Sequence, residues 1–163
     1  TLAMLLAIDF TPGDKVLDLG CGYGVVGILA AKIIGQEKVT MCDISPMAVT
    51  CARKNAVLNK VPQINIVESN GLDKIEDADF SLILSNPPYH ADFSVPKHFI
   101  EKGYRKLAVN GRMVMVTKRR ELYKRKFISV FGGVKVFEVG GYYIFIGENL
   151  EKYYDRTRNP TNY

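Results

Sequence analysis

The sequence predicts an α/β protein: one mostly parallel sheet of seven strands, helices on both faces, and an antiparallel hairpin at the C-terminal end. Three observations predict it. Short apolar runs alternate with segments of helical periodicity along the chain. The first such run, Val16-Leu17-Asp18-Leu19, leads straight into glycines, the pattern of a strand feeding a ligand loop. The last two runs are separated only by Gly140-Gly141, a tight turn that forces antiparallel pairing.

Taken in order, residues 1–10 (TLAMLLAIDF) have helical character. They open on Thr1 rather than Met, so a preceding piece is expected. Val16 to Leu19 is the first strand. Val25 to Ile34 has helical spacing and stops at Gly35. Lys38 to Asp43 is the second strand. Ser45-Pro46 starts the next helix, with Ser as N-cap and Pro at the first helical position, and it runs to about Asn59 before Pro62. Ile64 to Val67 is the third strand. Phe80 to Ser85 is the fourth, stopped by Pro87-Pro88. Pro96 to Ala108 reads as a helix ended by Asn110-Gly111. Arg112 to Thr117 is the fifth strand and Glu121 to Phe131 a helix. Val134 to Val139 and Tyr142 to Ile146 complete the hairpin.

The bulk properties agree with one globular domain. The chain has 163 residues, 47% hydrophobic and 24% charged. No apolar run approaches the ~20 residues of a membrane span, and no secretory signal is visible. Cys21, Cys42 and Cys51 are odd in number and lack metal-ligand spacing, which suits reduced thiols in a cytoplasmic protein. With two histidines as well, no metal is expected. The net charge of +5 and pI of about 9.1 lean toward an anionic partner.

The glycine run admits two cofactors. Gly22, Gly24 and Gly27 spell the dinucleotide pattern G-x-G-x-x-G, whereas Gly20, Gly22 and Gly24 spell G-x-G-x-G with Asp18 two positions ahead. Both need glycines for a close backbone approach. They differ in charge. A dinucleotide brings a pyrophosphate to the helix N-terminus, while S-adenosylmethionine brings a sulfonium and an ammonium. Asp18 would repel the first and attract the second; its competing role is to cap local amides. Gly27 then falls inside the helix, as a packing residue. Cys21 is a small residue within the loop. Asp43, ending the second strand, can accept both ribose hydroxyls of either cofactor. Ile44 can pack on adenine, and Asn70-Gly71 lies where the adenine edge would be read, unless it is simply a surface turn.

The sharpest signal is Ser85-Asn86-Pro87-Pro88-Tyr89-His90. Neither proline has an N–H, and each holds the preceding residue extended. The Asn86 side-chain oxygen and the Pro87 carbonyl can therefore each accept one N–H of an amino group without competing donors. Such acceptors favour a pyramidal nitrogen whose lone pair points at a methyl carbon, an interaction that strengthens in the transition state. Asn86 belongs to the catalytic and the cofactor-facing sets alike. Tyr89 is placed to stack on a planar substrate. Pro88 and His90 border that substrate.

Together, DLGCGYG, CDIS and NPPYH resemble the class I methyltransferases that use S-adenosylmethionine to methylate amino groups. The closer resemblance is to the small-domain (MTS) methyltransferases, similar to the ribosomal RNA guanine-N2 enzymes. It extends to Gly111-Arg112-Met113-Val114-Met115-Val116, to Phe131-Gly132 and to Gly141-Tyr142-Tyr143-Ile144. It implies a Rossmann-like fold over residues 1–150, followed by a tail at 151–163, and an enzyme methylating an exocyclic amino group of an RNA base. Guanine N2 of ribosomal RNA comes before adenine N6. Adenine-N6 and protein-glutamine-N5 enzymes share N-P-P-Tyr, so a glutamine-N5 methyltransferase is the alternative. A nucleotide-binding module or nicotinamide oxidoreductase is the third reading, although a nicotinamide domain usually continues with another β-α unit. The family's larger ribosomal RNA members carry a second, N-terminal domain that these residues do not include.

Six cations, Lys118, Arg119, Arg120, Lys124, Arg125 and Lys126, fall within nine positions after the fifth strand. They read as phosphate contacts or as a solvated helix face. The first three are the expected substrate contacts. The tail mixes charge with Tyr153, Tyr154 and Tyr163, as either a loose end or an RNA-contacting arm.

Overall fold

The structure is a computed structural model and describes residues 2–88 and 92–150. Among these, seven strands form one sheet in the order β3-β2-β1-β4-β5-β7-β6. The strands are β1 (Val16–Leu19), β2 (Val39–Asp43), β3 (Asn65–Glu68), β4 (Phe80–Ser85), β5 (Leu107–Thr117), β6 (Lys135–Val139) and β7 (Tyr142–Glu148). The helices are α1 (Leu2–Leu6), α2 (Val25–Ile34), α3 (Pro46–Leu58), α4 (Ser94–Lys106) and α5 (Glu121–Phe131). The first five strands are parallel; β7 pairs antiparallel with both β5 and β6. This is the predicted fold class.

Alternation along the strands makes two apolar cores. Val16, Met41, Leu82, Leu84, Val114, Val116 and Ile144 pack with Met4 of α1 and the buried stripes of α2 and α3. Leu17, Leu19, Phe80, Ile83, Met113, Met115 and Phe145 pack on the other side with Phe99, Ile100 and Tyr104 of α4 and Tyr123, Phe127 and Phe131 of α5. Helices thus cover both faces: α1, α2 and α3 on one, α4 and α5 on the other.

Two predicted boundaries differ for clear reasons. The helix expected over 96–108 begins at Ser94, with Pro96 inside its first turn where its missing N–H costs nothing. It ends at Lys106, because Leu107 is extended, buried and paired with Phe80 of β4. Strand pairing thus starts before Asn110-Gly111, and the register of β5 shifts across that turn. Asn110 takes φ 65° there, and a Cβ on Gly111 would lie 2.7 Å from the Phe80 carbonyl. The Ser45 cap formed as expected: its Oγ accepts the Ala48 N–H at 3.2 Å.

Candidate active site

The strand order reverses between β1 and β4, and the crevice at their carboxyl ends is where open α/β sheets hold ligands. Leu19 and Ser85 are register partners, so Gly20 and Asn86 leave adjacent strands at the same level. Ser85 fixes that level by donating its Oγ–H to the Leu19 carbonyl at 2.9 Å. The glycine loop and the NPP segment, 66 positions apart in sequence, are thereby the two walls of one crevice.

The loop turns as its glycines require. Gly20, Gly22 and Gly24 have φ of 73°, 55° and 90°, values that side-chain-bearing residues rarely adopt. Asp43 braces the turn: its Oδ2 accepts the Gly22 N–H at 3.0 Å and its Oδ1 the Ser45 N–H at 2.9 Å. Asp18 lies beneath the loop, 4% exposed, and its Oδ2 accepts the Gly27 N–H at 3.0 Å. Burial pushes its carboxyl up to about 7; the Gly27 amide opposes the rise and the Asp43 charge adds to it. Of the two roles considered for Asp18, the geometry shows the amide cap; with its carboxyl pushed up to about 7, the side chain carries only part of a negative charge near neutral pH.

Gly27 is a packing position. A Cβ there would lie 2.2 Å from Met41 Sδ on β2. The glycine that completes the dinucleotide pattern lets α2 approach the sheet. Cys21 is half-buried and its thiol is raised by burial and by the Asp18 and Asp43 charges; burial pushes the Cys42 thiol up to about 12. Both shifts disfavour the reactive thiolate.

On the adenine side, Ile44 is 64% exposed at the mouth of the crevice. Asn70 is exposed in a turn whose carbonyl accepts the Asp73 N–H, and Gly71 takes φ 57°. Ser69 and His98 organise this turn, and sequence reasoning did not assign them to the site. Buried Ser69 donates its Oγ–H to the Gly71 carbonyl at 2.8 Å and accepts the Lys74 N–H at 3.0 Å. His98 packs where a Gly71 Cβ would stand. Phe99, also on α4, reaches under Gly20. The visible signal for Ser69 was a small hydroxyl just past a strand end, and for Ser85 one at a strand's last position; for His98 there was none.

On the substrate side, Asn86 Oδ1 is a buried oxygen with no hydrogen-bond partner among the described residues. The two prolines that follow it offer no N–H. Pro87 is buried and Pro88 exposed. Tyr89, His90 and the 151–163 tail lie outside the described residues. Lys118, Arg119 and Arg120 are exposed just past β5, on the same rim. Arg120 pairs with Glu121, and Lys118 lies over the Tyr142 ring. A separate apolar cavity of about 620 Å³ lies between α1 and the hairpin, against Leu6, Phe137, Val139 and Ile146, and touches none of these residues.

The sequence pattern of the methyltransferase small domain matches residues 1–146. The chain belongs to the methyltransferase small domain family. It is 30% identical over 139 residues to ribosomal RNA small subunit methyltransferase C of Pseudoalteromonas atlantica, covering 83% of this chain and 40% of that protein. It is 33% identical to ribosomal RNA large subunit methyltransferase G of Alteromonas mediterranea, covering 88% and 38%. The chain thus spans about two-fifths of the length of these relatives. Among solved structures, TrmN from Thermus thermophilus superposes with a TM-score of 0.77 at 26% identity, covering 91% of this chain and 48% of that one. The Thermus thermophilus 16S rRNA N2 methyltransferase RsmC, solved with AdoMet and guanosine, gives 0.74 at 25%, covering 84% and 38%. This small-domain methyltransferase fold thus recurs in proteins about twice its length or more.

Proposed function

We propose that this small-domain methyltransferase uses S-adenosylmethionine to methylate an exocyclic amino group of an RNA base, guanine N2 of ribosomal RNA before adenine N6. The observation that carries the reading is the unpartnered Asn86 Oδ1. A buried acceptor without a donor costs about 1–3 kcal/mol and calls for a reason. An arriving amino group supplies the missing N–H. The named relatives, which act on ribosomal RNA, support RNA as the source of that group.

The residues fit the cofactor. The carboxylate of Asp43 gives one lone pair on each oxygen to a backbone N–H and keeps another for a ribose hydroxyl. Exposed Ile44 offers an apolar surface to adenine. Asp18 lies buried under the loop, and a nearby cation would favour its ionised form, which suits a cationic ligand better than a pyrophosphate. When bound, S-adenosylmethionine supplies an electrophilic methyl group.

The protein's own part is orientation. Asn86 Oδ1 accepts one N–H of the substrate amine and the Pro87 carbonyl accepts the other. The two acceptors hold the nitrogen lone pair out of conjugation, and they bind more strongly as the nitrogen gains positive charge. No base need act before transfer. The target base must be unpaired or flipped out of its helix to reach them.

The test is labelled-methyl transfer to ribosomal RNA followed by nucleoside mass spectrometry. N2-methylguanosine is the expected product. Asn86→Ala should lower turnover by about 100-fold or more while cofactor affinity stays within about threefold of the parent. Full activity in that variant would remove Asn86 from the mechanism, and methyl-glutamine in a protein acceptor would move the substrate to the second class.

A further inference from the structure

The charge of this protein is not evenly spread. Residues 94–131 hold eleven of its 22 Lys and Arg side chains but only two of its 17 acidic ones, Glu101 and Glu121. That stretch has a formal charge of +9, and the rest of the chain −4. The fold gathers it on one side. The stretch comprises α4, β5 and α5, and both helices pack on the same face of the sheet through Phe99, Ile100 and Tyr104 and through Tyr123, Phe127 and Phe131.

With those apolar stripes turned inward, Lys97, Lys102, Arg105 and Arg125 are exposed and Lys124 half-exposed, none in an ion pair among the described residues. Both acids of the stretch are already engaged, Glu101 with Lys126 and Glu121 with Arg120. The Glu101–Lys126 pair bridges α4 and α5, and Phe93 meets Tyr123 edge-on at 5.5 Å, so the two helices form one platform. Each helix begins at the active-site rim, α4 after the NPP segment and α5 after β5, and the cations continue from there to Arg105 in the last turn of α4. At 1.5 Å per residue, α4 carries that track about 20 Å away from the crevice.

We propose that the outer face of α4 and α5 is the docking surface for the phosphate backbone flanking the target base, with the RNA running from Arg119 at the rim to Lys102 and Arg105. The inference rests on RNA being the substrate. An undirected solvated helix face would interleave acids with its bases; here the acids are few and neutralised. The basic side chains reach outward on long stems, which suits a polyanion gripped without base readout.

The experiment measures binding of a fluorescein-labelled RNA stem-loop to the full chain across a salt series, without cofactor. The triple variant Lys102→Gln, Arg105→Gln, Arg125→Gln is compared with Lys32→Gln, Lys54→Gln, Lys60→Gln, which removes equal charge from α2 and the α3 side. Circular dichroism melts confirm that both fold. Each lost phosphate contact lowers the slope of log K against log salt by about 0.7–0.9, so the α4–α5 variant should lose about two to three in slope. Its affinity at low salt should fall about 10-fold or more, with the control within about twofold of the parent. Equal losses in the two variants, an unchanged slope, or equally tight binding of poly-glutamate would overturn the docking surface. If the parent binds RNA but ignores the triple change, only the docking surface falls; if the parent binds no RNA at any salt, the RNA reading falls with it.

Discussion

Asp18 Oδ2 accepts the Gly27 amide N–H at 3.0 Å, so the one polar side chain of β1 holds the first turn of α2. The helix needs this help. Its N-cap is Gly24, left-handed and with no side chain to cap the free amides. A side chain nine residues upstream does the work of a local cap. It does so from beneath the loop that a ligand would touch, which couples helix position to charge at the site.

Because Asp18 is buried, that coupling has a pH dependence. Its carboxyl is pushed up to about 7 from an ordinary 3.8. An acid with a raised folded-state pKa binds its proton more tightly when folded. The stability it contributes is present below the ordinary value and is lost as pH rises toward about 7. Asp18→Asn keeps an acceptor for Gly27 and cannot ionise. Urea midpoints should therefore show the variant gaining about 1–3 kcal/mol on the parent between about pH 5 and about pH 8. A difference that is the same at both pH values would show that Asp18 does not titrate in this range.

Gly27→Ala tests whether the third glycine serves packing or ligand. Its Cβ would meet Met41 Sδ at 2.2 Å and Cγ at 2.5 Å, and Met41 is fully buried, so its side chain would have to repack within the core. The variant should lose about 1–3 kcal/mol of stability by overpacking. Gly13→Ala, with nothing within 4 Å of its Cβ, should be near neutral. The folded fraction of Gly27→Ala should still bind S-adenosylmethionine within a few-fold of the parent, measured by calorimetry below its melting range. A selective loss of ligand with unchanged stability would restore Gly27 to the binding loop.

Much of this was legible in the sequence because local chemistry and tertiary role coincided. Gly20, Gly22 and Gly24 were readable as a tight loop, and the loop does need positive φ at all three. Ser45-Pro46 was readable as a helix start because the cap acts within three residues. Boundaries failed where a distant partner decided them. Leu107 left its helix for Phe80, 27 positions away, and no local propensity encodes that. Ser85 positions the crevice through the Leu19 carbonyl, 66 positions away, so its hydroxyl looked ordinary in sequence; Ser69 bonds Gly71, two residues on, a local turn contact that sequence reasoning passed over. The cation run was visible near Lys118, but its continuation onto α4 required the two helices to share a face.

Asp43→Asn tests the proposal that Asp43 holds the ribose while Asp18 meets the charge. Both of its oxygens already hold a backbone N–H, from Gly22 and from Ser45. Asp43→Asn leaves one oxygen and turns an NH2 group toward one of those donors, so the loop brace and the ribose clamp fail together. Losing charge-assisted hydrogen bonds of this kind costs about 1.5–3 kcal/mol each, and cofactor affinity should fall by about 100-fold. S-adenosylhomocysteine has the same ribose but no sulfonium charge. Titration calorimetry should therefore show Asp43→Asn weakening both ligands equally, whereas Asp18→Asn should weaken S-adenosylmethionine more than S-adenosylhomocysteine. If Asp43→Asn discriminated between the two ligands and Asp18→Asn did not, the roles assigned to the two carboxylates would have to be exchanged.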